Sequence, residues 1–190
     1  MSNNILKNYI KQIIKENKEF ITSLHVYDFD STLFDSPAVN AIKEEENKKF
    51  DYKSSEMLDK DHVEEKYQIN LHDFWIESVV EEARKSISNP TTLTAMCTAR
   101  SAYGDIKYFT MNLLSEKNLN FDRFFFKPLK SHFSSTAEYK SSYIEMLLNA
   151  YPNIKEIIFY DDDHRNLLSV EKLADARGIR YIPIDPQSRF

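Results

Sequence analysis

Glycine is nearly missing from this chain of 190 residues, which holds only Gly104 and Gly178. A phosphate-cradling loop of the Walker or dinucleotide-binding kind needs several closely spaced glycines, so that backbone N–H groups can close on the phosphates. Kinases and nicotinamide-dependent enzymes of those designs are therefore excluded. Cysteine is scarcer still. Cys97 alone cannot make an internal disulfide, so the fold does not draw on an oxidising compartment, and a cytoplasmic or equivalent reducing setting is expected. Long apolar runs are missing too. The stretch MSNNILKNYIKQIIKENKEF is broken by Lys7, Lys11, Lys15 and Lys18, which suits neither a signal peptide nor an anchor, and nothing later approaches a membrane span. Positive charge is in deficit: 25 Lys+Arg stand against 30 Asp+Glu, a net charge of −5. That balance argues against tight, non-specific nucleic-acid binding by counterion release and leaves room for a local basic patch only.

Core-forming residues are plentiful. Hydrophobic residues make up 42% of the chain, with 13 Phe and 11 Tyr, a composition that folds, and the length suits one domain with a small insertion. Ile5, Leu6, Tyr9, Ile10, Ile13 and Ile14 recur at helical spacing, so residues 4–19 read as an amphipathic helix. An apolar strand around Leu24 to Tyr27 stops at carboxylates, and a charge-rich segment follows over 37–87, in which Phe74, Ile76, Val79, Val80 and Ala83 have helical spacing. Further strands are expected at 92–97, 124–126, 154–160 and 180–184, with helices at 104–117, 134–152 and 164–176 between them. This alternation implies an α/β fold with a mainly parallel sheet covered on both faces.

Three of these strands run into residues that can do chemistry: Asp28, Asp30 and Thr32; Thr98 and Arg100; and Asp161 and Asp162. In an open parallel sheet the ligand crevice lies beyond the carboxyl ends of the strands, so the three groups should converge. Each pair of carboxylates so gathered repels by about 4 kcal/mol at ~4 Å and an effective dielectric near 20, unless a cation offsets the charge. Oxygen ligands alone, with no Cys or His pair at zinc-like spacing, select a hard ion such as Mg²⁺. A carboxylate beside it can attack phosphorus, and a neighbouring carboxyl can move the proton.

Asp28-Phe29-Asp30-Ser31-Thr32 resembles motif I, DxDxT, of the haloacid-dehalogenase-like (HAD) phosphohydrolases. The other signatures follow in order. Thr98 is similar to the motif II Ser/Thr, Lys140 to the motif III lysine, and Asp161-Asp162-Asp163-His164-Arg165-Asn166 to motif IV in its DDxxxN form. The resemblance covers residues 22–185 and implies a three-layer Rossmann-like sheet over 1–190, with a small, mainly helical cap insertion at 37–87 between the first two core strands. It implies an aspartyl-phosphate mechanism, with Asp28 as nucleophile and metal ligand and Asp30 as general acid/base whose backbone carbonyl binds the metal. Thr98 would then hydrogen-bond the phosphoryl oxygens, and Lys140 would hold the Asp28 carboxylate. Asp162 aligns as the third metal ligand with Asp161 supporting it, although a shift of one position would exchange them. Lys127 and Lys130 compete for the motif III role, but Lys140 lies 21 residues before Asp161, room for a helix, a turn and a strand. Ala99 stands where the family often has Gly after the motif II Thr, which alters the backbone approach to phosphate.

Other residues admit bland readings. Cys97 within a strand reads as a buried structural thiol, His25 as a satisfied core histidine, and Trp75 as packing in the cap or as a stacking surface for a base. His164 is either a solvated helix-capping residue or a substrate contact; Arg100 either binds phosphate or pairs with a carboxylate. The pattern of DFDSTLF, TAR, Tyr139-Lys140 and YPNIKEIIFYDDD is similar to the Swiss Army Knife RNA-repair-like branch of the superfamily. The function implied is a Mg²⁺-dependent phosphatase acting on a phosphomonoester. The substrate is either a small phosphorylated molecule or the 3′-phosphate of a polynucleotide end, and a non-catalytic HAD-like binding module is the remaining alternative.

Overall fold

The computed structural model describes residues 18–36, 64–65, 70–129 and 132–189. Five strands form one sheet: β1 (Ser23–Tyr27), β2 (Thr92–Ser101), β3 (Arg123–Lys127), β4 (Glu156–Tyr160) and β5 (Arg180–Ile184). All pairings are parallel, in the order β3-β2-β1-β4-β5. Among the described residues, four α-helices lie between or beside them: α1 (Glu77–Ser88), α2 (Asp105–Glu116), α3 (Thr136–Ala150) and α4 (His164–Arg177). The expected α/β class, strand set and doubly covered sheet are all present.

Period-two alternation along the strands divides the core between two faces. Tyr27 joins a cluster with Val79, Val80 and Ala83 of α1 and Phe109 and Leu113 of α2. Its neighbour Val26 joins the opposite cluster, with Ile144 and Leu147 of α3 and Val170 and Ala174 of α4. The result is three layers, helices on sheet on helices. Tyr27, Phe29 and Phe159 are fully buried, and burial of such side chains contributes about 1.5–3 kcal/mol each.

Local signals fix the helix ends near the site. Ser135 caps α3 by accepting from the Glu138 N–H, and Glu138 reaches back to the Ser134 N–H, a variant of the reciprocal cap. The Asp163 side chain accepts from the Arg165 N–H and starts α4; Gly178, at φ 63°, ends it in the left-handed conformation.

One sequence expectation is corrected here. β2 does not stop at Cys97 but continues to Ser101, because pairing with β3 resumes beyond an irregularity between Thr98 and Ser101. Within that irregularity the Thr98 hydroxyl oxygen accepts the Arg100 N–H at 3.2 Å. The expected cap at 37–87 lies largely outside the described residues. From Asn70 onward the segment is part of the core layer: Leu71, Trp75, Val79, Val80 and Ala83 are buried against the sheet. The expected helix at 4–19 also lies outside the described residues, apart from a short 3-10 turn at Lys18–Phe20.

Candidate active site

The chain leaves β1 toward β2 and β3 on one side of the sheet and later returns to add β4 and β5 on the other. Strand order therefore reverses between β1 and β4, and the crevice opens at their carboxyl ends. Tyr27 pairs with Tyr160 at the last rung, so the next residues, Asp28 and Asp161, emerge side by side. The Asp28 N–H donates to the Tyr160 carbonyl at 2.9 Å and the Asp161 N–H to the Ile184 carbonyl at 3.1 Å. Both backbones are thus fixed before the side chains do anything.

Lys140, on the first turns of α3 and 1% exposed, reaches between them. Its Nζ lies 2.9 Å from Asp28 Oδ2 and 2.6 Å from Asp161 Oδ2. Burial works against its charge, but the two carboxylates more than offset this and hold the ammonium well above the ordinary lysine pKa. Lys127 and Lys130, the competing candidates, are not in this pair: Lys127 lies at the end of β3, and Lys130 falls outside the described residues.

Asp161 is saturated. Its Oδ2 takes the Lys140 bond, and its Oδ1 accepts from the Asp163 N–H and from Asn166 Nδ2, both at 2.9 Å. Asp28 is not. Its Oδ1 is buried and has no hydrogen-bond partner, a costly state for a carboxylate oxygen unless something binds it. Burial pushes the Asp28 carboxyl upward, against the pull of Lys140 and with the repulsion of Asp161 and Asp30 behind it. Asp162 is exposed, and partial burial together with the Asp161 charge raises its pKa as well. Carboxylate oxygens of Asp28, Asp161 and Asp162 all lie within 4.8 Å of one another. An all-oxygen set with one orphaned buried oxygen and one exposed carboxylate fits a hard divalent cation that keeps some waters.

Asp30 points elsewhere. The turn after β1 is tight: Ser31 takes φ 55°, and the Thr32, Leu33 and Phe34 N–H groups converge on the Phe29 carbonyl. This swings the Asp30 carboxylate onto Arg100, whose Nη2 and Nε lie 2.8 and 3.0 Å from its oxygens, and onto the Ser36 hydroxyl. Burial alone would raise the Asp30 pKa, but the guanidinium overcomes it and holds the carboxyl below the usual range. Arg100 is itself placed by Thr110 at 3.0 Å and by the face of Phe29 at 4.4 Å. Of the two readings open for Arg100, the structure realises the carboxylate pair.

The remaining sequence candidates fall into place around these. Thr98 is fully buried at the β2 irregularity, its hydroxyl oxygen on the Arg100 N–H. Cys97 is buried, and burial pushes its thiol up to about 12, which leaves it inert. His25 is satisfied by the Ser86 hydroxyl at 2.6 Å. Trp75 packs edge-on against Phe29 and Phe34 inside the core. His164 is an exposed first residue of α4, the cap being Asp163. Two contributors had no assigned role in the sequence reading. Asn166 belongs to the DDxxxN pattern, so its place on Asp161 was within reach; Ser36 carries no signal, because only the turn geometry brings it to Asp30.

The chain is similar to known proteins in family and in fold. The model of the "HAD domain family 1 in Swiss Army Knife RNA repair proteins" matches residues 28–180. No curated protein matches by sequence. Among solved structures, the HAD domain of the effector protein Lem4 from Legionella pneumophila superposes with a TM-score of 0.50 and 11% identity, covering 87% of this chain and 85% of that one. An inactive mutant of the same domain gives a TM-score of 0.52 over the same coverage at 11% identity. A chain of the Pnkp1/Rnl/Hen1 complex gives a TM-score of 0.52 at 10% identity, over 86% of this chain but only 46% of its own length. At such identities these likenesses concern the fold. The present chain spans under half the length of that last relative.

Proposed function

This chain belongs to the HAD domain family 1 found in Swiss Army Knife RNA repair proteins, and from that premise we propose that it is a Mg²⁺-dependent phosphatase that hydrolyses a phosphomonoester through an aspartyl-phosphate. The observation that carries the reading is the orphaned Asp28 Oδ1. It is a buried, fixed carboxylate oxygen with an ammonium on its partner oxygen and an all-oxygen cluster beside it. Asp28 and Asp162 would hold the ion with the Asp30 carbonyl, and Asp161, its oxygens already engaged, would position Lys140 and the backbone of Asp163. The ion, when bound, supplies charge neutralisation for the phosphoryl oxygens.

The chain's own steps follow. Asp28 attacks phosphorus, the P–O bond to the leaving alcohol breaks, and the departing oxygen takes a proton from Asp30. Water then attacks the phosphorus, giving its proton to Asp30, and Asp28 leaves as carboxylate. Lys140 balances the negative charge of Asp28 before attack and again as it leaves, and the Thr98 O–H is the donor proposed for a phosphoryl oxygen. Arg100 keeps Asp30 ionised in the free protein. The first proton must therefore arrive with the substrate, and a phosphomonoester, with its second pKa near about 6, can carry it.

A second reading has one observation in its favour: the matching family is described from RNA repair proteins. On it the phosphomonoester is the 3′-phosphate of a polynucleotide end, and the partner is nucleic acid. The buried free thiol of Cys97 suits a reducing compartment, and no helix of the described residues is long and apolar enough to cross a membrane. The test is phosphate release from small phosphomonoesters and from 3′-phosphorylated oligonucleotides. Release should require Mg²⁺, stop with chelator and stop in Asp28→Asn. Full turnover in Asp28→Asn, or none on any substrate, defeats the proposal.

A further inference from the structure

A pocket of about 480 Å³ opens at the carboxyl ends of β2 and β3, lined by Asp30, Arg100, Ile106, Lys127, Pro128 and Leu129 among others. We propose that it is the leaving-group subsite, and that it takes an alcohol built on an apolar ring system that carries a second anionic group. The inference rests on the phosphatase reading above and adds a substrate class to it.

The direction of the substrate follows from the two aspartates. Phosphorus must come to Asp28 and the leaving oxygen to Asp30, so the body of the alcohol continues past Asp30 into the space that Asp30 borders. That space is this pocket. Its volume lies within the range of small-ligand sites, about 300–1,000 Å³, and suits one ring system with its substituents.

The walls select the chemistry. Ile106, Pro128 and Leu129 present apolar surface, and Leu129 is 68% exposed, so a ring laid against it removes apolar area from water. A polyhydroxylated alcohol would instead lose water from hydroxyls that Ile106 and Leu129 cannot hydrogen-bond. Two cations border the pocket. Arg100 is committed to Asp30, whereas no carboxylate among the described residues pairs with Lys127. Lys127 ends β3, and its own carbonyl is fixed by the Ala102 N–H at 2.8 Å, so its ammonium is carried on anchored backbone. An anion on the far side of the ring from the scissile phosphate would meet it.

The test compares kcat/KM for benzyl phosphate against glycerol 2-phosphate, both with alkyl leaving groups, and for 4-carboxybenzyl phosphate against benzyl phosphate. The benzyl ester should be preferred by at least about tenfold, the lower scale of discrimination by an apolar wall. Ile106→Asn, and Leu129→Asp at a solvent-exposed position, should each collapse that preference. Lys127→Ala should collapse the preference for the carboxylated ester. Ratios that move less than twofold in all three variants overturn the subsite. If the wild-type protein hydrolyses nothing, the phosphatase reading fails by itself, and calorimetric titration with 4-carboxybenzyl phosphate then decides the pocket. Saturable binding lost in Lys127→Ala and Leu129→Asp sustains it, and absence of binding ends it.

Discussion

Replacing Lys140 by Met tests the electrostatic frame of the site without adding a charge or emptying much volume. The ammonium lies 2.9 Å from Asp28 and 2.6 Å from Asp161, with the lysine 1% exposed and the two carboxylate side chains 10% and 0% exposed. Removing one partner from such a buried group leaves uncompensated charge and costs about 3–5 kcal/mol. In a domain of this size each kcal/mol moves the melting midpoint by about 2–4 °C, so Lys140→Met should lower it by about 6–20 °C at neutral pH without metal. Mg²⁺ should narrow the gap by replacing the missing positive charge. Raising the pH from 7 to 9 should widen it, because Asp28 then ionises beside Lys140 in the wild type and has no cation beside it in the variant. The assay is thermal unfolding followed by circular dichroism, at pH 7 and pH 9, with and without Mg²⁺. A variant that melts with the wild type at pH 7 in the absence of metal would refute the reasoning, and so would a gap that ignores both pH and Mg²⁺.

Burial pushes the Asp28 carboxyl from its ordinary 3.8 up to about 8, so the folded, metal-free protein holds a proton that the unfolded chain has released. Its stability should therefore fall as pH rises from the ordinary carboxylate range toward about 8, with Mg²⁺ flattening the slope; denaturant melts across that window check the sign, and a rising curve would contradict it. Asp30→Asn should lower turnover by roughly 10²–10⁴-fold, the usual scale for a general acid/base. Its half-saturating Mg²⁺ concentration should stay near that of the wild type, because the carboxylate faces Arg100 and not the metal cluster; a large rise would put that carboxylate on the ion. Trp75→Ala should destabilise by about 3–5 kcal/mol as a core truncation, since the indole packs on Phe29 and Phe34. An unchanged urea midpoint would argue that the ring serves a ligand instead.

The strand-end carboxylates were legible in the sequence because an apolar run that stops at Asp is a local pattern, and a parallel sheet then collects such ends at one edge. The reach of Lys140 could be inferred from its distance in sequence to Asp161, which one helix, a turn and a strand consume. The different surroundings of Asp161 and Asp162 could not, because adjacent residues at a strand end point in opposite directions and the bonds of Asp161 to Lys140, Asn166 and the Asp163 N–H exist only in the folded turn. Arg100 stayed ambiguous for a similar reason. Its pairing with Asp30 depends on a β2 irregularity and on the Ser31 turn, neither of which alternation patterns encode. The cap expected at 37–87 from the family resemblance lies mostly outside the described residues; within them, the helical spacing at Val79, Val80 and Ala83 serves a core layer.

The central claim is that Asp28 carries the phosphoryl group. The direct measurement is peptide mass spectrometry of the Mg²⁺-loaded protein after rapid acid quenching during turnover of a phosphomonoester. A phosphoryl group should be found on Asp28 in the wild type, disappear when Mg²⁺ is chelated, and be absent in Asp28→Asn. Steady phosphate release with Asp28 unmodified at every quench time, and with undiminished turnover in Asp28→Asn, would contradict the account.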